Sequence, residues 1–260
     1  KESRKLHPRS STTLSWESMG PTTIGGRTRA IMMDPNDATG KGMWLGSVSG
    51  GLWYTNDIFS DSYTMTRKDN DWSNISVTAL AYDPNNTNIL YAGGGERVGL
   101  KLPGEGIWKS SDSGATWNLL SSTSGFKFIE DIVVRNENGS SVIYASIGMA
   151  FLGPAPDGSG PNYTWGLGNE GVAKSTDGGA TWSTRVAPTL EGDKRVHYAD
   201  LHIDANNRLW AGGITGNYAD SKSGGHLYYS DDGSNWTAVT FDNTNTSELT
   251  LDRVLIKMAS

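Results

Sequence analysis

The chain of 260 residues has no cysteine. Disulfide staples and cysteine-ligated zinc are therefore excluded, while the compartment stays open, since many secreted bacterial proteins also lack cysteine. Charge is sparse as well: 19% of residues are charged, the net charge is −6, and no basic stripe runs along the chain. That argues against nucleic acid as the main partner, because phosphate recognition needs clustered Lys and Arg. No apolar run approaches the roughly 20 residues of a membrane-spanning helix. The four histidines, His7, His197, His202 and His226, fall at no metal-ligand spacing. An initial methionine and an apolar leader are missing too, as in a processed or partial chain. Residues 1–13, basic and polar, read as a flexible solvated arm.

What is plentiful is turn chemistry. Glycine numbers 33 and tryptophan 10, and Gly, Asn, Ser, Thr and Asp recur in short clusters that leave little room for helices. Comparing the chain with itself gives the organisation. Three segments share one pattern: SSDSGATW (Ser110–Trp117), STDGGATW (Ser175–Trp182) and YSDDGSNW (Tyr229–Trp236). Aligned on Trp117, Trp182 and Trp236, they superpose Asp112, Asp177 and Asp231, and Gly114, Gly179 and Gly233, with Ser110 and Ser175 at the start. A decayed copy is WYTND, Trp53–Asp57. Each copy sits between two strand-like runs, so it is a hairpin turn. An Asp carboxylate can accept backbone N–H groups of its own turn, glycine supplies positive φ, and the tryptophan packs back across the hairpin. These residues are therefore read as structural and not catalytic.

Upstream of each turn lies a short apolar run: TRAIMMDP, VTALAYDP, EDIVVRN and ADLHIDA, with a fifth copy, DRVLIKMA, at the end. A further run follows each (GMWLGS, ILYAGG, VIYASI, RLWAGG) and ends in small residues that permit close backbone approach. Four antiparallel strands every 50 to 70 or so residues is a propeller blade. The expected fold is an all-β propeller with four whole blades at about 27–75, 76–128, 129–195 and 196–249. Single strands at 14–20 and 252–259 leave the ring incomplete, as part of a longer chain with other domains.

In such a fold the loops entering the inner strands and those between second and third strands share one face, opposite the Asp turns. The first inner-strand residues align as Arg29, Thr78, Asp131, Asp200 and Arg253, a polar ring at the channel mouth. It is either a ligand site or a hydrated lining. Loops between second and third strands add Glu96 and Arg97, then Phe151, Tyr163 and Trp165, then Tyr218. Long loops of this kind are often functional, and their aromatics suit stacking on sugars or packing on a protein. Phe151 and Trp165 fit equally well as pins holding their loop to the blade. No cofactor is expected. The turns DPND at 34–37 and DPNN at 83–86 are Asp-Pro turns; structural Ca²⁺ is the alternative there, though no calcium-loop signature is present.

The Asp turns resemble those of the BNR and sortilin-type (Asp-box) propeller superfamily, which includes sialidases, family 74 glycoside hydrolases and sortilin. The opening Trp16–Asp57 resembles the start of large secreted propeller proteins of Bacteroidota that use type IX secretion. The resemblance implies an extracellular or cell-surface location. A sialidase would need an arginine triad, and GGRTRAI offers only Arg27 and Arg29. Family 74 enzymes carry a catalytic Asp in an RTDIGG-like segment; the matching GSVSGG places Val48 there, and a valine cannot transfer a proton. The resulting expectation is a non-catalytic recognition or scaffold propeller binding a protein or glycan. The alternative is a glycoside hydrolase using carboxylates among Glu96, Asp131 and Asp200.

Overall fold

A computed structural model describes residues 27–69, 72–97, 102–148, 150–151, 164–165, 170–188, 195–216 and 225–239. The arm at 1–13 and the strands expected at 14–20 and 252–259 lie outside these residues. The described chain is all-β, apart from one short 3-10 turn at Ser121–Thr123.

The strands group into consecutive meanders. Blade one is β1 (Thr28–Met33), β2 (Met43–Ser47), β3 (Gly51–Thr55) and β4 (Thr66–Arg67). Blade two is β5 (Val77–Asp83), β6 (Asn86–Gly94), β7 (Ile107–Ser110) and β8 (Asn118–Leu119). Blade three contains β9 (Phe128–Glu137) and β10 (Ser140–Gly148). After a small hairpin of β11 (Ala150–Phe151) and β12 (Thr164–Trp165), it closes with β13 (Gly171–Ser175). Its outer strand shrinks to one bridge, in which Lys174 and Ser183 exchange both backbone hydrogen bonds. Blade four is β14 (Arg195–Ile203), β15 (Leu209–Gly216), β16 (Gly225–Ser230) and β17 (Thr237–Ala238). All pairings are antiparallel, in sequence order within each sheet. Inner strands β1, β5, β9 and β14 touch in succession, so the blades are arrayed around one axis. Among the described residues the ring is not closed.

The core lies between blades. One apolar cluster joins Met32, Trp44 and Leu52 of blade one to Val77, Leu90 and Ala92 of blade two. A second joins Ala79, Tyr91 and Ile107 to Ile129, Ile132 and Ile143. A third joins Val142 and Tyr144 to Tyr198, Leu201 and Leu209. Each side chain so buried contributes roughly 1.5–3 kcal/mol, so a blade is stable only against its neighbours. The small residues ending the second strands make this close packing possible. A Cβ on Gly46 would run into Val77, and one on Gly93 into Ile129, each on the inner strand of the next blade.

The Asp turns repeat one bonding scheme. Ser110 Oγ donates to Asp112 Oδ1 at 2.8 Å and accepts the Gly114 N–H at 2.8 Å. Asp112 in turn accepts the N–H and hydroxyl of Thr116 at 2.8 and 2.6 Å. Ser175, Asp177, Gly179 and Thr181 reproduce it. In blade four the turn is one residue tighter. Ser230 serves as the serine and Asp232 as the aspartate, accepting the N–H groups of Ser234 and Asn235. Alignment on the tryptophan therefore selected the wrong neighbour there: Asp231 points outward and pairs with Arg208 at 2.6 Å.

Packing of the tryptophans also differs from expectation. They do not only close their own hairpins but wedge into blade boundaries. Trp117 lies edge-on to Trp44 and Trp72, and Trp182 edge-on to Phe126 of the preceding blade. Trp236 packs on the cluster between blades three and four. The turn glycines dock similarly. With φ of +79°, +96° and +71°, Gly114, Gly179 and Gly233 each press their Cα onto the preceding blade, against Trp44, Leu120 and Tyr144 respectively. At the same end, Asp34 and Asp83 accept the N–H groups of Asn36 and Asn85 in Asx turns.

Candidate functional site

Each inner strand breaks register at the same place. One extra residue is inserted between Thr28 and Ala30, between Val77 and Ala79, between Ile129 and Asp131, and between Tyr198 and Asp200. The inserted residues are Arg29, Thr78, Glu130 and Ala199. These four β-bulges re-aim side chains at the channel mouth, a role bulges commonly have beside functional sites. They also correct the ring read from the sequence. Asp131 and Asp200 are not equivalent to Arg29 and Thr78; cross-strand partners place them with Ala30 and Ala79, since Gly46, Gly93, Ser146 and Gly212 face the four in turn. An inserted residue leaves no trace in an alternating pattern.

The bulges line a cavity of about 510 Å³ on the axis. Its blade-one and blade-two wall holds Ala30, Ile31, Ala79 and Leu80, with Arg27 and Arg29 above; the opposite wall holds Glu130, Asp131 and Asp200. The lining is mainly polar.

Two carboxylates are neutralised by arginines. Glu96, fully buried, accepts Arg27 at 2.7 Å and stands 3.6 Å from Arg29. Glu130, with a side chain 3% exposed, accepts Arg29 at 2.5 Å and Arg97 at 2.8 Å. The network ties blades one, two and three together at the mouth. Glu130 was passed over in the sequence, where the adjacent Asp131 drew attention. Two consecutive acids opening an apolar strand were the available signal, because both can face the channel only across a bulge.

The other two acids form a pair. Asp131 and Asp200 are hydrogen-bonded side chain to side chain, joining blade three to blade four. Asp131 also accepts the N–H of Ile132 at 2.8 Å and that of Leu201 in blade four at 2.8 Å. Burial, with the nearby Asp200 charge, pushes Asp131 well above the usual carboxylate range, although the two N–H bonds pull the other way.

For two further candidates only the backbone is described. Phe151 pairs with Thr164, and Ala150 with Trp165, in the backbone of the β11–β12 hairpin. Tyr163 and Tyr218 lie outside the described residues. Val48 is buried at the mouth, its N–H donated to the Arg27 carbonyl. Among the described residues, no group of three or more His, Asp or Glu is placed to hold a metal ion, and no helix is long and apolar enough to cross a membrane.

No family model matches the chain. Among curated proteins, a xyloglucanase from a Paenibacillus species is 29% identical over 152 residues, covering 55% of this chain and 13% of the relative. Xyloglucanase Xgh74A of Acetivibrio thermocellus is 32% identical over 108 residues, covering 40% of this chain and 12% of the relative. The chain thus spans about an eighth of the curated relatives it matches. Among solved structures, an ancestral GH74 enzyme aligns with a TM-score of 0.55 at 20% identity, over 82% of this chain and 25% of that one. The GH74 enzyme of Niastella koreensis aligns with a TM-score of 0.54 at 22% identity, over 84% and 30%. These likenesses establish the propeller fold. The names of the relatives also overturn the expectation of a non-catalytic scaffold, which rested on Val48 and on missing sialidase segments. Loss of an acid at one position does not empty the mouth of acids, and the hydrolase alternative is the one these relatives favour.

Proposed function

We propose that the chain forms part of the catalytic propeller of a glycoside hydrolase acting on a polysaccharide of the xyloglucan type, with the Asp131–Asp200 pair as general acid. The observation that carries this reading is the placement of Asp131 and Asp200 together on the cavity wall, with Asp131 held against blade four by the Leu201 N–H and raised by burial above the usual carboxylate range. Departure of a sugar alcohol requires protonation of the glycosidic oxygen, and an ordinary aspartate has lost its proton at neutral pH. A carboxyl held protonated by burial and a like-charged neighbour retains it.

Hydrolysis also needs a second carboxylate, about 5–5.5 Å away for retention or 6.5–9.5 Å for inversion. Asp131 and Asp200 are too close to flank a bond and act as one acid. Glu96 and Glu130 are occupied by arginines. We therefore assign the second carboxylate to residues outside those described. Val48 replaces the acid expected by analogy with family 74, so the proton donor of this protein sits on a different blade. The wall of Ile31 and Leu80 supplies an apolar surface for a sugar face.

Reducing-end release from xyloglucan by the full-length protein tests the reading. Asp131→Asn and Asp200→Asn should each lower the rate by about 100-fold or more. Failure of the unmodified protein to cleave, or full activity in the double variant, overturns it.

We also infer descent from the BNR/Asp-box propellers and an extracellular location reached by type IX secretion. Support comes from the bonding scheme shared by the turns at Asp112, Asp177 and Asp232 and from the resemblance of Trp16–Asp57. The glycan partner is then the substrate, and finding the protein only in the cytosol of its source would refute the location.

A further inference from the structure

A bulge is the weak point of a strand ladder, because its inserted residue leaves backbone groups without a partner. At two blade boundaries the preceding blade donates a side-chain hydroxyl to the carbonyl just before the inserted residue. Thr78 Oγ1 of blade two donates to the Ile129 carbonyl of blade three at 2.6 Å, with a longer contact of 3.3 Å to its own Gly93. Ser146 Oγ of blade three donates to the Tyr198 carbonyl of blade four. Ile129 and Tyr198 are equivalent: each directly precedes the inserted residue and stands two residues before an acid. The third carbonyl of the set, Val77, precedes the bulge that leads to Ala79. Among the described residues no side-chain hydroxyl reaches it.

The two hydroxyls come from different positions of the repeat. Thr78 is itself an inserted residue, whereas Ser146 occupies a second-strand position held by Gly46, Gly93 and Gly212 in the other blades. In blade three the inserted residue, Glu130, is committed to Arg29 and Arg97, so it cannot play the part of Thr78. In blade two Gly93 has no hydroxyl to play the part of Ser146. The hydroxyls therefore follow the acids and not the repeat.

We propose that Thr78 and Ser146 are positioning residues whose hydroxyls hold the bulges of blades three and four so that Asp131 and Asp200 meet across the blade boundary. This rests on the reading of that pair as the proton-handling group. Both hydroxyl residues are buried, 4% and 0% exposed, and act through the backbone. Charged groups sharing the cavity with the pair are Arg27 just before β1, Arg29 from β1 and Glu130 from β9; β5 presents only Thr78, Ala79 and Leu80. On β14 the other titratable side chains nearest in sequence are His197, Tyr198 and His202, and Ser146 faces Asp131 from β10.

The test is a carbon-detected NMR titration of the Asp131 and Asp200 carboxyls in the full chain. Ser146→Gly installs the residue the other blades carry. It should lower the Asp131 titration by about one pH unit or more toward the ordinary carboxylate range. Thr78→Val, which keeps the shape, should shift it in the same direction, and Ser146→Thr should restore the original value. Ser76→Ala is the control, a buried hydroxyl at the same end with no hydrogen-bond partner. A folded Ser146→Gly chain with an unchanged titration, or an equal shift in Ser76→Ala, overturns the proposal. If Ser146→Gly does not fold, Thr78→Val decides on the same criterion. The readout does not depend on hydrolysis: an unshifted titration beside intact cleavage defeats only this inference, and a shifted titration without cleavage in the unmodified protein defeats only the hydrolase reading.

Discussion

The two ends of each blade obey different rules. At the Asp-turn end, blades two and three repeat one bonding scheme atom for atom, and blade four repeats it one residue shorter. At the channel-mouth end, the four equivalent inserted residues are Arg29, Thr78, Glu130 and Ala199, with no two alike. Matching bonds in successive units serve a turn that those units share. Divergent residues at one repeated position serve something that exists once, on the axis. Repetition therefore marks the end where the same turn recurs from blade to blade, and its loss marks the end where each blade contributes a different side chain to one cavity.

Removing a buried charge at the mouth tests the contrast most severely. Glu130→Leu strands Arg29 and Arg97 without their shared partner and should cost about 3–5 kcal/mol in denaturant melts. A near-neutral result would mean that the network is loosely hydrated, and the mouth would then be no more constrained than a surface. At the turn end, Gly114→Val forces a branched side chain into positive φ and against the Trp44 ring. It should cost about 2–4 kcal/mol, and retained stability would remove the docking role given to the turn glycines.

A smaller effect separates the ends by sign. Hydrogen bonds from Thr116 and Thr181 hold Asp112 and Asp177 down to about 2 from an ordinary 3.8. Their contribution to stability is present above pH 4 and is lost as pH falls toward 2. Asp131 runs oppositely, because burial raises its folded proton affinity. Its contribution is complete below the ordinary carboxylate value and disappears as pH rises through the raised one. Asp112→Asn with Asp177→Asn should flatten only the acid limb of melting temperature against pH, and Asp131→Asn only the limb at higher pH. Each change should amount to roughly 2–4 °C. Coincident changes on one limb would erase the distinction.

The same contrast explains what could be read from the sequence. The blades were legible because SSDSGATW and STDGGATW are near copies, and copies survive where the bonding partners lie within the turn itself. The mouth was legible only in part. Asp131 and Asp200 stood out as acids opening apolar strands, but their true register depends on bulges that alternation cannot register. Glu130 was hidden for the same reason, its partners Arg29 and Arg97 lying in other blades. Asp231 was preferred to Asp232 because a shortened turn shifts the aspartate relative to the tryptophan. Interactions across blades have no fixed spacing along the chain.

The joints between blades have a direction. Gly114 of blade two rests on Trp44 of blade one, Gly179 of blade three on Leu120 of blade two, and Gly233 of blade four on Tyr144 of blade three. The later unit always brings the plug and the earlier one the socket. A repeat copied whole therefore arrives with both halves of its joint, ready to be inserted at any boundary. Lengthening such an array by duplication asks for no new complementary surface at the turn end, whereas each new boundary at the mouth would have to be matched by its own cross-blade contacts.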